Sequence, residues 1–266
     1  MSNIHPTAII DPSAELADGV SVGPYCCVGG SVKLGEGSVL HSHVVIDGNT
    51  TLGANCEVYP FASIGFPPQD LKYRGEPSSV EIGSGTVIRE HVTIHPGTKG
   101  GGLLTKVGRN CLIMVGGHVA HDCHVGDNVV IANNATLGGH VRVGDFAVLG
   151  GLAGVHQFVR IGHHAMVGGL SGVENDVIPY GSVIGNRAYL SGLNIIGIKR
   201  RDFSRDDIHV LRAAYRLLFA EEGTMSERLS DVAEMFKDSA PVMEIVHFIQ
   251  TDSSRSVCQP QIKRAA

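Results

Sequence analysis

Seven of the chain's 14 histidines fall between residues 118 and 164: His118, His121, His124, His140, His156, His163 and His164. Three of them share the segment GGHVAHDCHVGDN. A neutral imidazole takes a proton from a hydroxyl near neutral pH, so the cluster fits a general base. Asp122 follows His121 directly and could fix its tautomer and raise its basicity. The same residue type also suits a zinc site built from three histidines. A third reading is structural, with imidazoles facing solvent, and His124 and His163 read that way.

The elements that must position these groups are written in a period. From Ile4 an aliphatic residue recurs every six positions as far as Ile64. The register breaks at GFPPQDLKYRGEPSSVE and returns in phase at Ile82, Ile88 and Ile94. A second break, HPGTKGGGLLTK, shifts the phase by one residue, and the ladder then runs from Val107 to Val173. Apolar spacing near 3.6 would mean a helix and spacing of 2 a simple strand. Period six fits neither. It fits a short strand and a tight turn repeated around a prism, with coils stacked about 4.8 Å apart. Glycine often follows the aliphatic position, as at Gly35, Gly53, Gly108, Gly126, Gly144 and Gly162. The fifth position is small, and Cys26, Cys56, Cys111 and Cys123 occupy it alongside Ala62, Ala135, Ala147 and Ala153. These cysteines read as inward packing residues, not nucleophiles. Three repeats per coil put residues 18 apart in register, so His121 and His140 fall on adjacent coils and nearly the same face.

The ladder fails after about residue 185. SRDDIHVLRAAYRLLFAEEG reads as a helix capped by Ser204 with Asp207 three residues on, and Leu211, Ala214, Tyr215 and Leu218 share a face. SERLSDVAEMFKDS and PVMEIVHFIQ read as two more helices, the last with Pro241 near its first turn. The expected division is a β-helix over 1–190, with loops near 65–81 and 95–106, and a helical domain over 191–266. Net charge is −5, so nothing global favours nucleic acid or an anionic membrane. The N-terminus does not read as a signal peptide, and no apolar run suits a membrane span, so no integral membrane association is expected. Six cysteines without CxxC spacing fit a reducing cytoplasm. Met114, Val115, Leu152, Met166 and Leu170 add apolar side chains to the prism, which suggests contacts between copies.

The six-residue ladder resembles the left-handed parallel β-helix of hexapeptide-repeat acyltransferases. Within that superfamily, HVAHDCHVGDNVVIANNATLGGHV, FASIGFPPQDLKYRGEP, GLAGVHQF, MVGGLSGV and NIIGIKRRDFSR are similar to segments of UDP-N-acetylglucosamine O-acyltransferases. The resemblance implies a mainly β fold with a left-handed β-helix and a small helical domain, assembled as a homotrimer with active sites between prisms. It implies transfer of a 3-hydroxyacyl chain from acyl carrier protein to the 3-position of UDP-N-acetylglucosamine, the first step of lipid A synthesis, with no cofactor and no metal. His121 would be the general base, Asp122 its orienting partner, and the Gly139 amide the donor to the oxyanion. Asp70, Lys72, His118, His140, His156 and Gln157 would line the sugar and acyl sites, and Asn194 and Arg200 would hold the nucleotide. Gly169 matches the position that limits acyl length, and a small residue there implies room for a longer chain. The basic run Lys199, Arg200, Arg201, Arg205 would suit an acidic carrier protein. Ile196 and Arg187 depart from the family's usual Glu and His, which leaves open a 3-amino acceptor. A zinc hydratase of the carbonic anhydrase type on the same fold and a non-enzymatic scaffold are the rival readings.

Overall fold

A computed structural model describes residues 3–251 and 253–261. Its 28 strands, most of them two residues long, stack into three sheets of 11, 9 and 8 strands, parallel except for the last pair of the first sheet. Each full coil contributes one strand to each sheet. Val22 pairs with Leu40, and Ile113 with Ile131 and then Leu149, so the 18-residue register is the coil. The fold is a left-handed parallel β-helix followed by helices.

The ladders are dry. Position-one residues such as Ile46, Ile88, Ile131 and Leu137 are fully buried, as are Cys26, Ala62, Cys123 and Ala135 from position five. Ile4 is still half exposed because, among the described residues, its strand is covered by a coil on one side only. The six cysteines are free, and burial pushes the Cys123 thiol up to about 12, which removes it as a nucleophile. Ile131→Ala would open a cavity that rigid neighbouring coils cannot close. It should cost about 2–5 kcal/mol and lower the urea midpoint.

Both insertions leave the prism at one corner, between the second and third sheets. Residues 65–78 separate Ser63–Ile64 from Ser79–Ile82, and residues 95–103 separate Thr93–Ile94 from Leu104–Val107. The pairing spans them intact: Ile64 pairs with Ile94, and Ile94 with Val119. The turns at His121–Asp122, Gly139–His140 and Gln157–Phe158 continue the same edge coil by coil. Loops and imidazoles therefore gather along one line.

Beyond residue 180 the structure departs from the periodic expectation. Gly181–Ile184 and Tyr189–Leu193 form an antiparallel hairpin with an irregularity between Ser182 and Val183. A five-residue helix, α1 (Ile195–Lys199), follows and has no periodic signature. Then come α2 (Arg205–Leu218), α3 (Met225–Met235) and α4 (Ala240–Gln250). Ser204 and Asp207 form a reciprocal capping box, and Thr224 and Glu227 form a second one. Leu211, Ala214 and Leu218 are buried, and Tyr215 is partly so. The chain then returns to the β-helix, where Val257 bridges Asp176 and the Leu190 N–H donates to the Gln259 carbonyl.

Candidate active site

His121 and Asp122 occupy one tight turn. Asp122 has a φ of 59°, a left-handed conformation that a short polar side chain tolerates. Its carboxyl group is buried, and a buried carboxylate must be fully partnered. The 95–103 loop supplies two donors, and the strand after it accepts from the Asp122 backbone. The Thr98 N–H donates to Oδ1 at 2.9 Å and the Thr98 hydroxyl to Oδ2 at 2.6 Å. The Asp122 N–H in turn donates to Thr105 Oγ1 at 2.8 Å. A side chain at Gly101 would collide with the carboxyl group, so the loop closes over it only as glycine.

Oδ2 also lies 2.8 Å from His121 Nδ1. A carboxylate can only accept, so Nδ1 carries the proton and Nε2 keeps its lone pair. That is the tautomer a base needs. The next coil brings Gly139 directly over this ring. A Cβ at Gly139 would stand 2.5 Å from Cε1 and 2.6 Å from Nε2 of His121. Its N–H makes no hydrogen bond among the described residues. A base and a free amide donor thus sit side by side. Gly139→Ala should displace the imidazole and reduce kcat about 100-fold with little change in thermal midpoint, the size expected when reacting groups shift by about 1 Å.

His140 stands edge-on to His121, ring centres 5.0 Å apart, and stacks on Phe158 at 4.4 Å. Its Nδ1 is 3.9 Å from Asp122 Oδ2. Burial lowers its pKa, which favours the neutral ring. Asp70 and Lys72 lie near enough to act on His140 with opposite signs, and Asp70 accepts the Lys72 N–H at 2.9 Å. His118 Nδ1 meets Thr93 Oγ1 at 2.7 Å, and His95 packs edge-on against its ring at 5.0 Å. Burial lowers the pKa of His118 as well, and burial with the neighbouring His118 takes His95 down to about 4. The unfolded chain binds the His95 proton near 6.5 and the folded chain does not. Stability should therefore fall as pH drops from about 6.5 toward about 4. His95→Gln should flatten that part of a thermal-midpoint-against-pH curve.

His156 and Gln157 follow one coil further along the same edge, both exposed, with Arg255 against them. Three expected site residues lie elsewhere. Gly169 is exposed in a turn between the first and second sheets. Asn194 and Arg200 flank α1 and, with Ile196, line a cavity of about 900 Å³ against Val148, Met166 and Ser182 of the first sheet. The Asn194 side chain is already used: Oδ1 accepts the Gly197 N–H at 3.0 Å and Nδ2 donates to the His164 carbonyl at 2.9 Å. Arg187 ion-pairs with Glu174 in the hairpin turn. His163 is not the solvent-facing residue expected from its position. It packs edge-on against Tyr180 at 4.8 Å and reaches Glu244 at 3.5 Å. His95, Thr98 and Thr105 were missed because the broken register hides which coil they face.

His121, Asp122 and His140 hold ligand atoms within 4.8 Å of one another and so form the one group among the described residues that could take a metal ion. Asp122 already accepts three donors, and a metal would displace them. The hydrogen bonding favours an orienting carboxylate.

Fold and edge together define a hexapeptide-repeat transferase, and residues 104–139 match the family model for bacterial transferase hexapeptide repeats. Residues 176–258 match the model described as UDP-N-acetylglucosamine O-acyltransferase, domain 2. The chain is 57% identical to a Caulobacter vibrioides protein over 97% of its own length and 98% of the relative's. It is 54% identical to one from Azorhizobium caulinodans, over 97% and 95%. Both are named acyl-(acyl-carrier-protein)–UDP-N-acetylglucosamine O-acyltransferase. The solved UDP-N-acetylglucosamine O-acyltransferase of Moraxella catarrhalis superposes with a TM-score of 0.93 at 43% identity, covering 96% of this chain and 99% of that one. The chain belongs to the UDP-N-acetylglucosamine O-acyltransferase family.

Proposed function

We propose that this chain transfers a 3-hydroxyacyl group from acyl carrier protein to the 3-hydroxyl of UDP-N-acetylglucosamine, the first step of lipid A synthesis. The observation that carries the reading is the unprotonated Nε2 of His121 beside the unpaired Gly139 N–H. Nε2 takes the hydroxyl proton as the sugar oxygen bonds to the thioester carbon. Negative charge moves to the carbonyl oxygen, where the Gly139 N–H donates to it. Collapse breaks the carbon–sulfur bond, and the imidazolium returns its proton to the leaving sulfur. Asp122 stabilises that imidazolium throughout. Each turnover gives one ester and one free thiol, with no acyl-enzyme.

Asp70, Lys72, His118, His140, His156 and Gln157 line the sugar and acyl sites along the edge. Asn194 and Arg200 are on another face, so they complete a site only when a second copy brings that face to the edge. A homotrimer satisfies this, and Leu152 and Leu170, 58% and 71% exposed, supply apolar area for it. In that assembly Arg200 meets the nucleotide, and Asn194 holds α1 in place. Gly169 leaves the acyl channel open, and Lys199, Arg201 and Arg205 face the acidic carrier protein. No helix among the described residues is long and apolar enough to cross a membrane, and a carrier-protein donor belongs in the cytoplasm.

The test is an assay with UDP-N-acetylglucosamine and 3-hydroxyacyl carrier proteins of graded length, reading ester and thiol together. Equal yields of both are expected. No transfer to the hydroxyl acceptor, or transfer only to its 3-amino analogue, would overturn the reading.

A further inference from the structure

The segment after α4 is tied down on the last coils by one buried carboxylate. Asp176 is fully buried. It accepts the Arg160 N–H on Oδ1, and Arg160 Nε and the Ser253 hydroxyl on Oδ2, each at 2.7 Å. Its own N–H donates to the Ser256 carbonyl and its carbonyl accepts from the Cys258 N–H, both at 2.8 Å. The Arg255 N–H donates to Ser253 Oγ at 3.2 Å. This clamp fixes Arg255, which is half-buried, against the catalytic edge. Arg255 Nε donates to the Gln157 carbonyl at 3.1 Å, and Nη2 lies 2.6 Å from His156 Nδ1.

A guanidinium has donors and no acceptor. Nδ1 of His156 also lies 3.3 Å from the Gln157 carbonyl, which would draw a proton to it, but the Arg255 contact is shorter and comes from a charged donor, so Nδ1 is the acceptor and the ring proton resides on Nε2. Nε2 makes no hydrogen bond among the described residues. We propose that Arg255 is a positioning residue for the transfer: it holds His156 as the neutral Nε2–H tautomer and presents that N–H as a donor to bound substrate. His156 is thereby the mirror of His121, with the opposite nitrogen protonated. One imidazole accepts a proton, and the other offers a hydrogen bond. This proposal rests on the acyl-transfer reading for its substrate, but the tautomer does not.

Two measurements test it. The first is 15N NMR of histidine-labelled protein at mildly alkaline pH. His156 should show an unprotonated Nδ1 and a protonated Nε2 in the wild type, and a mixture of tautomers in Arg255→Ala. The second is a double-mutant cycle. Arg255→Ala should lower kcat/KM about tenfold, the effect typical of a residue that orients a site imidazole. Combined with His156→Ala it should cost no more than His156→Ala alone. If Arg255→Ala lowers the thermal midpoint, Arg255→Lys takes its place, since it keeps the stem and charge but loses the two-point fork. Additive losses in the cycle, or a His156 tautomer indifferent to residue 255, would overturn the proposal. Absence of turnover by the wild type would instead strike the acyl-transfer reading, leaving the NMR result to stand alone.

Discussion

His121→Ala should lower kcat about 1,000-fold, within the range a positioned general base supplies. The ring touches Asp122, His140 and Gly139 and carries none of the stacked ladders. Its removal takes one donor from the buried Asp122 carboxylate but no core packing, so the thermal midpoint should fall only modestly. The KM for the sugar nucleotide should move little, because the proton transfer belongs to the transition state and not to binding. Steady-state kinetics beside a thermal melt checks both. A loss below tenfold would mean that another group takes the proton.

Asp122→Asn should come close to that loss, about 100- to 1,000-fold in kcat, because it deprives the base of its working tautomer. The replacement keeps size and shape, and its amide oxygen still accepts the Thr98 N–H. Its amide nitrogen, however, takes the place of Oδ2, which now meets both the Thr98 hydroxyl and His121 Nδ1. An N–H facing Nδ1 makes that nitrogen the acceptor and sends the ring proton to Nε2. The lone pair then points at the new amide and not at substrate. Asp122→Ala should add a folding defect, since the Thr98 N–H and hydroxyl would both lose their acceptor. Full activity in Asp122→Asn would show that the carboxylate only holds the loop.

Much of this geometry was legible in the sequence because the fold repeats. A fixed period converts sequence distance into stacking, so His121 and His140 could be set on neighbouring coils before any coordinates. Ser204 with Asp207 announced α2 because a capping box is local. The rest depends on contacts that no period encodes. Thr98 lies 24 residues before Asp122, not 18, because a loop intervenes. Arg255 is 98 residues from Gln157 and reaches it only because the tail doubles back after the helices. The Gly181–Leu193 hairpin replaces a coil where the period has already faded. Asn194 reads as a nucleotide contact from its motif, and the motif does not show that its side chain already bonds to the Gly197 N–H and the His164 carbonyl. Motif position indicates where a residue is; only its partners indicate what it is free to do.

The most direct measurement is a crystal structure of the assembled protein with unreacted UDP-N-acetylglucosamine bound. The sugar's 3-hydroxyl oxygen should lie within about 3 Å of His121 Nε2, the reach of a general base. A 3-hydroxyl beyond hydrogen-bond distance of that nitrogen, or a metal ion seated among His121, Asp122 and His140, would contradict the account.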